Sequence, residues 1–249
     1  MTQSKPQNLW REAFDTGRTL IITLMIVTLV RVILFHPFTI PSSSMSPGLL
    51  TGDYIIVSKY AYGWSAASLP FGRPEGTGRL MGSSPERGDV VVFRLPRDRS
   101  QVWIKRVIGL PGDTVEMING QLYVNQQAVP VTDLGVTTDK DDPRRQVRAY
   151  SEDLGSGTKH IIYDGGNGLP GDNTGPIHVP VGHYLMMGDN RDNSIDGRWP
   201  ASVGVGLLPA SHILGRADLV LMSWKPGAGL FKPWTWPNIR GDRWFKSID

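Results

Sequence analysis

Residues 114–125 read TVEMINGQLYVN, in which two short runs of β-prone residues flank Asn119-Gly120. An Asn-Gly pair in this position is typical of a two-residue type I′ turn, because both turn residues take a positive φ. The stretch therefore predicts an antiparallel hairpin. Further β-branched or aromatic runs, mostly bounded by Gly or Pro, predict four more strands. They cover residues 54–57, 89–93, 102–108 and 219–224.

The composition agrees with a fold rich in strands and turns. The 249 residues include 29 Gly and 19 Pro, which argues against a helical bundle. Hydrophobic residues make up 40% of the chain, enough for a core in one large domain or two small ones. We predict a mostly β, antiparallel domain over residues 39–249. Residues 126–180 are polar and Gly-rich, and we interpret them as an insertion that forms a small β subdomain.

Several kinds of site are excluded or disfavoured by composition. The chain has no Cys, which excludes disulfides, thiolate catalysis and zinc–thiolate sites. The formal charge is only +3, and no Lys/Arg cluster is interleaved with aromatic residues, so we predict no nucleic-acid partner. The sequence also contains no glycine motif for nucleotide binding.

The one strongly apolar segment lies near the N-terminus, where residues 20–35 read LIITLMIVTLVRVILF. Sixteen helical residues reach about 24 Å, short of a hydrocarbon core of roughly 30 Å, so flanking residues must extend the span. We predict a transmembrane anchor over residues 19–38, with Arg31 near its end reaching outward. A buried core helix is the alternative, but no long helical partner follows in the sequence.

The charges around this segment predict its orientation. Three basic residues precede it, whereas after Arg31 no Lys or Arg appears before Lys59. By the positive-inside rule, residues 1–18 would stay in the cytoplasm and a single span would place residues 39–249 outside. A cleavable signal peptide is the rival interpretation, although the apolar run is long for one.

The C-terminal tail combines aromatic and basic residues. Trp234, Trp236 and Trp244 lie among Lys and Arg side chains. Such a tail fits contact with a membrane interface, where Trp and basic residues are both favourable. It fits equally well a segment that covers the edge of a sheet.

Three polar segments have residue types suited to catalysis. They read FTIPSSSMSPGLLTGD at residues 38–53, WIKRVIGLPGD at residues 103–113 and GDNRDNSIDGR at residues 188–198. Singly, each has an ordinary explanation as a serine-containing loop, a solvated strand lysine or an Asp/Asn-rich turn. Together and in this order, they resemble the nucleophile, lysine and Gly-Asp-Asn-Arg boxes of the bacterial type I signal peptidase (leader peptidase) family.

The resemblance implies a membrane-bound serine endopeptidase with a β-rich catalytic domain, which removes N-terminal signal peptides from exported precursors. It makes Ser44 the nucleophile and Lys105 the general base of a Ser/Lys dyad. The supporting residues that it implies are Ser42 for the oxyanion, Ser194 to orient the amine, and Asp196 with Arg198 to brace the site. The implied location is the bacterial inner membrane, with the active site on the periplasmic or outer face.

The same resemblance implies how a precursor binds. Its chain would add as a strand beside residues 39–41 and 101–104, with Ile40, Pro41 and Ile104 as candidate substrate-binding residues. Small side chains at the first and third positions before the cut would enter shallow pockets. The expected partners are precursor proteins with signal peptides and membrane lipid, and no metal or organic cofactor is implied.

The sequence departs from the family pattern at three positions. Ser43 stands where Gly is usual, Gly48 where Thr is usual, and Gly197 where Ser is usual. Ser43 makes the nucleophile ambiguous among three adjacent serines. Neighbours in an extended segment point to opposite faces, so the serines on either side of Ser43 would share the face toward the lysine.

A lysine base needs an unusual environment. Its ordinary pKa of about 10.4 leaves almost no neutral amine at pH 7, so the pKa must fall by roughly 3. Desolvation lowers a lysine pKa, and the apolar residues around Lys105 suit this role. A carboxylate in contact with Lys105 would raise its pKa instead. We therefore expect Asp189, Asp192 and Asp196 to pair with Arg191 and Arg198.

Other functions fit parts of the sequence. A Ser-His-Asp triad is disfavoured, because none of the five His lies in a segment that resembles a triad box. A specialised peptidase for one pilin or conjugation protein would carry similar boxes. A non-catalytic β-domain would be expected to have lost Ser44 or Lys105, and both are present. Self-cleaving repressors also use Ser and Lys, but they carry a DNA-binding region in place of an anchor.

Overall fold

The computed structural model describes residues 9–64, 82–155, 157, 159–229 and 232–248. Within these residues, one long helix, α1 (Leu9–Ile33), precedes fifteen short strands. The strands are β1 (Phe35–Thr39), β2 (Asp53–Ser58), β3 (Val90–Arg94), β4 (Val102–Gly109), β5 (Thr114–Ile118), β6 (Gln121–Val124), β7 (Gln127–Ala128), β8 (Val131–Thr138), β9 (Gln146–Asp153), β10 (Lys159–Asp164), β11 (Ile177–His178), β12 (His183–Met187), β13 (Leu207–Pro209), β14 (Ile213–Ser223) and β15 (Lys246–Ser247). The mostly β, antiparallel fold predicted from the sequence is confirmed.

An eight-stranded antiparallel sheet forms the centre of the domain, with the order β1-β2-β14-β3-β4-β12-β13 and with β15 paired to β14. Along β3, Val90 and Val92 enter one core cluster, whereas Val91 and Phe93 enter a second cluster on the opposite face. Both faces of the sheet are therefore covered, which explains the uninterrupted apolar run of β3. Full burial of each such side chain stabilises the fold by about 1.5–3 kcal/mol.

Strands β5 and β6 form the hairpin that the sequence predicted. Ile118 pairs with Gln121, and the turn residues Asn119 and Gly120 have φ angles of 50° and 79°. The hairpin belongs to a four-stranded sheet with the order β11-β5-β6-β7. Its buried side chains pack against Ile108 of β4 in a third core cluster, which joins this sheet to the main one.

Residues 126–180, interpreted as an insertion, are divided between two sheets. The short strands β7 and β11 complete the sheet of the β5–β6 hairpin, whereas β8, β9 and β10 form a separate three-stranded antiparallel sheet. The backbone N–H of Tyr163 in β10 donates a 2.9 Å hydrogen bond to the carbonyl of Asp189. The small sheet is thereby attached to the third polar segment, residues 188–198.

Helix α1 precedes the main sheet and is apolar in its second half. Residues 10–29 are exposed apart from the half-buried Gly17. The helix ends at Ile33, and residues 35–38 of the predicted anchor belong instead to strand β1. Pro37 accounts for this change, because proline disrupts a continuing helix but is tolerated in an edge strand. Residues 1–8 of the predicted cytoplasmic segment lie outside the described residues.

The described part of the chain contains no helix that combines the length and the apolar character needed to cross a membrane.

The C-terminal tail returns to the main sheet. Strand β15 pairs with β14, and Ile239 forms an isolated bridge with Trp224. The buried Arg243 forms an ion pair with Asp53 at the start of β2. The tail thus packs on the sheet, as one of its two interpretations predicted, while Trp234 remains 77% exposed.

Candidate active site

The two residues of the predicted dyad are in contact. Ser44 lies in the connection between β1 and β2, Lys105 lies on β4, and the Ser44 Oγ and Lys105 Nζ atoms are 2.5 Å apart. Both residues are buried, with exposures of 9% and 4%. The hydroxyl oxygen of Ser42 is 3.4 Å from that of Ser44. A hydroxyl and an amine at this separation are close enough for proton transfer.

The β1–β2 connection is held in place from both ends. Backbone hydrogen bonds from Ile40 to the Asp53 carbonyl (2.8 Å) and from Gly52 to the Ile40 carbonyl (2.9 Å) close its base. Met45 and Leu49, which follow the nucleophile, are each 1% exposed and anchor the connection in the core. The buried apolar side chains of this connection therefore hold its serine residues in place.

Burial lowers the pKa of Lys105 to about 8. Desolvation is the main cause, because water no longer stabilises the charged amine. The charges of Asp196 and Asp189 act in the opposite direction, whereas that of Arg198 acts in the same direction. About one Lys105 side chain in ten is then neutral at pH 7, compared with fewer than about one in a thousand for an ordinary lysine.

Asp196 is paired with Arg198, as expected. The guanidinium donates to both carboxylate oxygens at 3.0 and 2.9 Å, and the Gly188 N–H donates to Asp196 at 3.0 Å. Burial alone would raise the pKa of Asp196, but the charge and hydrogen bonds of Arg198 outweigh it, so the pKa is lowered. The ionised carboxylate is thus balanced locally and acts less strongly on Lys105.

Two further ion pairs differ from those expected. Asp189 pairs with Arg106 through two hydrogen bonds of 2.8 Å, and Arg191 pairs with Glu152 at 2.5 Å. The expected pairing of Asp189 with Arg191 or Arg198 is therefore wrong. The partners come from β4 and β9, which are distant in sequence from the third segment, so nothing within residues 188–198 indicated them.

Asp192 also lacks its expected arginine. Its carboxylate accepts a 2.6 Å hydrogen bond from the backbone N–H of Gly165, and no ion pair with an arginine is present among the described residues. Burial raises the pKa of Asp192. This residue therefore holds the loop after β10 and does not take part in the charge pairs beside the dyad.

Ser194 is buried beside the nucleophile segment. Its Oγ has no hydrogen-bond partner among the described residues, so the expected contact with the amine of Lys105 is absent there. A Cβ added at Gly188 would overlap both this hydroxyl and the carbonyl oxygen of Ser44. Glycine at this position is what allows the first and third segments to approach so closely.

Ser43 faces away from the dyad. Its Oγ accepts a 2.7 Å hydrogen bond from Asn193 Nδ2, and its carbonyl accepts one of 3.2 Å from Asn190 Nδ2. The backbone N–H of Asn190 also donates to the carbonyl of Ser44 at 3.1 Å. The third segment thus holds the nucleophile segment mainly through hydrogen bonds to the backbone carbonyls of Ser43 and Ser44.

Related sequences identify the family. The family described as signal peptidase, peptidase S26, matches residues 13–224. The chain belongs to this family. The signal peptidase I of Rickettsia typhi is 35% identical over 244 residues, which cover 90% of each chain. That of Rickettsia massiliae is 32% identical over 270 residues, which cover 99% of this chain and 97% of the relative.

A solved structure is also similar to this signal peptidase. It is the crystal structure of a signal peptidase I from Enterococcus faecalis V583, with 26% sequence identity and a TM-score of 0.33. The match covers 54% of this chain and 97% of the solved one.

Two departures of this signal peptidase from the family pattern have local packing reasons. A Cβ at Gly197 would lie 2.7 Å from the Met186 carbonyl oxygen and 2.8 Å from a Leu185 methyl group, so a serine does not fit there without movement. A Cβ at Gly48 would lie 3.1 Å from a carboxylate oxygen of Asp189. A larger residue at position 48 would crowd the carboxylate that pairs with β4.

A pocket opens beside the dyad of this signal peptidase. Its lining residues are Pro41, Ser42, Ser44, Val102, Trp103, Ile104, Lys105 and Ile195. Of the expected substrate-binding residues, Pro41 and Ile104 line the pocket, whereas Ile40 is 3% exposed and lies in the core beneath it. Strand β12 pairs with β4 only along residues 106–109, so within the described part of the chain residues 102–105 keep an open edge on that side. An extended peptide can pair with such an edge.

Three residues that hold the site were missed from the sequence. They are Arg106, which binds Asp189, Glu152, which binds Arg191, and Asp141, which accepts a hydrogen bond from the Ser46 hydroxyl. Arg106 directly follows the base within the lysine box, and its position there was the available signal. The other two belong to the polar stretch 126–180, where no motif marks them, and only their contacts reveal them. Among the described residues, no cluster of three His, Asp or Glu side chains is arranged to hold a metal ion.

Proposed function

We propose that this signal peptidase is a membrane-anchored serine endopeptidase that removes N-terminal signal peptides from exported precursors by a Ser44/Lys105 dyad. The observation that carries the proposal is the 2.5 Å separation of Ser44 Oγ and Lys105 Nζ within a buried site. The relatives named signal peptidase I support the substrate class.

The first chemical step is proton transfer within the dyad. The neutral amine of Lys105 accepts the hydroxyl proton as the Ser44 oxygen attacks the scissile carbonyl carbon. The ammonium then returns this proton to the leaving amine, and an acyl-enzyme forms at Ser44. A water molecule then gives a proton to Lys105 as its oxygen attacks the ester carbonyl, and the ammonium returns this proton to the Ser44 oxygen as the acid product leaves. The lowered pKa of Lys105 supports this scheme, because it keeps a neutral fraction near pH 7.

The oxyanion of the tetrahedral intermediate needs hydrogen-bond donors. The backbone N–H of Ser44 has no partner among the described residues, and the hydroxyl of Ser42 lies on the same pocket. Together they supply two donors. Each donor of this kind is worth about 3 kcal/mol of transition-state stabilisation.

Three further residues hold the two side chains of the dyad in position. Asp196, held by Arg198, accepts the N–H of Gly188, whose backbone packs directly against Ser44.

The precursor binds as an extended strand. It pairs with the open edge of residues 102–105 on one side and follows residues 39–41 on the other. Its small side chains before the cut enter the pocket lined by Pro41 and Ile104. The resemblance to the family implies this preference for small residues.

Helix α1 anchors the enzyme in the bacterial inner membrane, where it contacts lipid. Its apolar side chains from Leu20 to Leu29 are exposed to a degree unusual for a soluble helix. The apolar part from Leu20 to Ile33 reaches about 21 Å, so the bilayer thins locally around it or its flanking charges reach outward. The N-terminus lies in the cytoplasm, and the active site lies on the periplasmic or outer face.

Cleavage of a secretory precursor by the detergent-solubilised full chain tests this function. Ser44→Ala should abolish cleavage, and Ser42→Ala should reduce it by about 10²–10³-fold through loss of an oxyanion donor. Ser43→Ala is the matched control, since its hydroxyl contacts Asn193 and not the dyad. It should cleave at close to the wild-type rate.

Peptide mapping with a serine-directed acylating inhibitor identifies the nucleophile independently. The label should be found on Ser44 alone. Labelling of Ser43, or full activity of the Ser44→Ala variant, would contradict the dyad.

A further inference from the structure

The loop between β8 and β9, residues 139–145, reaches from the small three-stranded sheet to the nucleophile segment. Asp141 lies in this loop, and its side chain is only 4% exposed. Its carboxylate accepts hydrogen bonds from the Ser46 hydroxyl at 2.8 Å and from the Thr51 N–H at 3.0 Å. These two residues bracket the turn that follows Ser44, so one carboxylate holds both ends of that turn.

The same loop has a second contact with the active site. Asp139 accepts a 3.1 Å hydrogen bond from the amide of Asn190, and Arg145 donates to the amide oxygen of Asn190 at 3.0 Å. Asn190 in turn donates to the carbonyl of Ser44. The Asp141 N–H donates to Asp139 at 2.9 Å, which ties the two contacts together.

The burial of Asp141 gives these contacts their strength. A carboxylate removed from water is costly unless hydrogen bonds replace its solvation, and charge-assisted bonds are stronger than neutral ones. Among the described residues, Asp141 forms an ion pair with Arg240, and this pair is long, at 3.8 Å. Ser46 and Thr51 therefore provide most of the short contacts of this carboxylate, and their positions are fixed by it.

We propose that Asp141 is a positioning residue, which fixes the turn after Ser44 so that the hydroxyl stays within reach of Lys105. The inference rests on the proposed dyad and gives the inserted sheet a part in the reaction. A displacement of about 1 Å of a reacting group is enough to lower turnover by about 100-fold.

Steady-state cleavage by full-length variants tests the inference. Asp141→Ala should lower kcat by about 10- to 100-fold with little change in KM, because Asp141 lies outside the substrate pocket. Asp141→Asn keeps one acceptor oxygen and should lose less. The matched control is Asp142→Ala, which removes the same charge from the next residue. Of the residues that the structure describes, its carboxylate bonds only to the exposed Arg144, so kcat should not change.

A double-mutant cycle with Ser46 shows whether Asp141 acts through the nucleophile segment. Ser46→Ala should lower kcat in the same direction, and combining it with Asp141→Ala should cost little more than Asp141→Ala alone. The rate at which a small acylating probe modifies Ser44 should fall in parallel, because it reports the dyad without a precursor. Thermal unfolding of every variant shows whether its fold is retained.

Three outcomes of these measurements would contradict the role proposed for Asp141. Wild-type kcat in Asp141→Ala, a loss confined to KM, or an equal loss in Asp142→Ala would overturn the inference. If Asp141→Ala does not fold, then Asp141→Asn and Ser46→Ala decide it by the same criteria, and normal Ser44 acylation in both would reject it. A wild-type protein that neither cleaves precursors nor is acylated at Ser44 would refute the dyad itself, and the role of Asp141 with it.

Discussion

Replacement of Lys105 by Met should stabilise the folded protein near pH 7 while it abolishes activity. The pKa of Lys105 is lowered by burial to about 8 from the ordinary 10.5. At about 1.4 kcal/mol for each pKa unit, this difference corresponds to about 3 kcal/mol. Below pH 8 the folded state bears this whole cost, because a charged amine stays buried. Loss of the contact with Ser44 offsets about 1 kcal/mol, which leaves a gain of about 2 kcal/mol.

The pH dependence of this gain follows from the direction of the pKa shift. Between pH 8 and pH 10.5 the unfolded chain binds a proton at Lys105 that the folded protein has released. The stability of the wild type therefore rises with pH across this window. The advantage of the Met variant should shrink over the same range and disappear near its upper end.

Thermal unfolding of the detergent-solubilised full chain at pH 7 and pH 10 measures the effect. A gain of about 2 kcal/mol raises the Tm by roughly 4–8 °C in a chain of this size. Lys225→Met is the matched control, because Lys225 is exposed and its change should be small at both pH values. A Met variant less stable than the wild type at pH 7, or an advantage independent of pH, would refute the reasoning.

Three other outcomes are expected. The kcat/KM of the wild type should rise about tenfold from pH 7 to above pH 8, as Lys105 becomes neutral. The Lys105→Arg variant should be inactive at both pH values while remaining folded. Arg243→Ala should destabilise the protein by about 3–5 kcal/mol in denaturant titrations, because it leaves Asp53 buried without its partner. The control is Arg144→Ala, at an exposed arginine, which should change stability by less than about 0.5 kcal/mol. Protease added outside spheroplasts should digest the domain of residues 39–249, and protection of that domain would contradict the proposed orientation.

The parts of the fold that sequence reasoning predicted are those determined locally. The β5–β6 hairpin follows from Asn119-Gly120, since few other residue pairs accept the backbone angles of this turn. The start of β14 was missed by six residues, because Gly215, Arg216 and Asp218 interrupt its apolar pattern. Pairing with β3 on one side and β2 on the other extends the strand through these residues. Such pairing depends on distant segments.

The candidate site likewise has a part that the sequence predicted and a part that depends on distant segments. The contact between Ser44 and Lys105 agrees with what the ordered boxes imply, because the boxes specify both residues. The partner of Arg191 was not predictable, since Glu152 lies about forty residues earlier in a stretch without a motif. The role proposed for Asp141 rests on a loop that approaches Ser46 across 95 positions of sequence. Contacts between residues so far apart in sequence become visible only in the folded arrangement of the three sheets.

The paired charges around Lys105 explain how an amine with a lowered pKa persists among carboxylates. Asp189 and Asp196 both favour its charged form, and unpaired they would hold the proton on the amine. Each has an arginine bound at two oxygens. The charge of Arg198 opposes the effect of the carboxylates on Lys105, but desolvation of the amine remains the largest influence and lowers its pKa. The arginines therefore contribute to the chemistry without touching a substrate, because they keep both carboxylates paired beside a base whose pKa is determined mainly by burial.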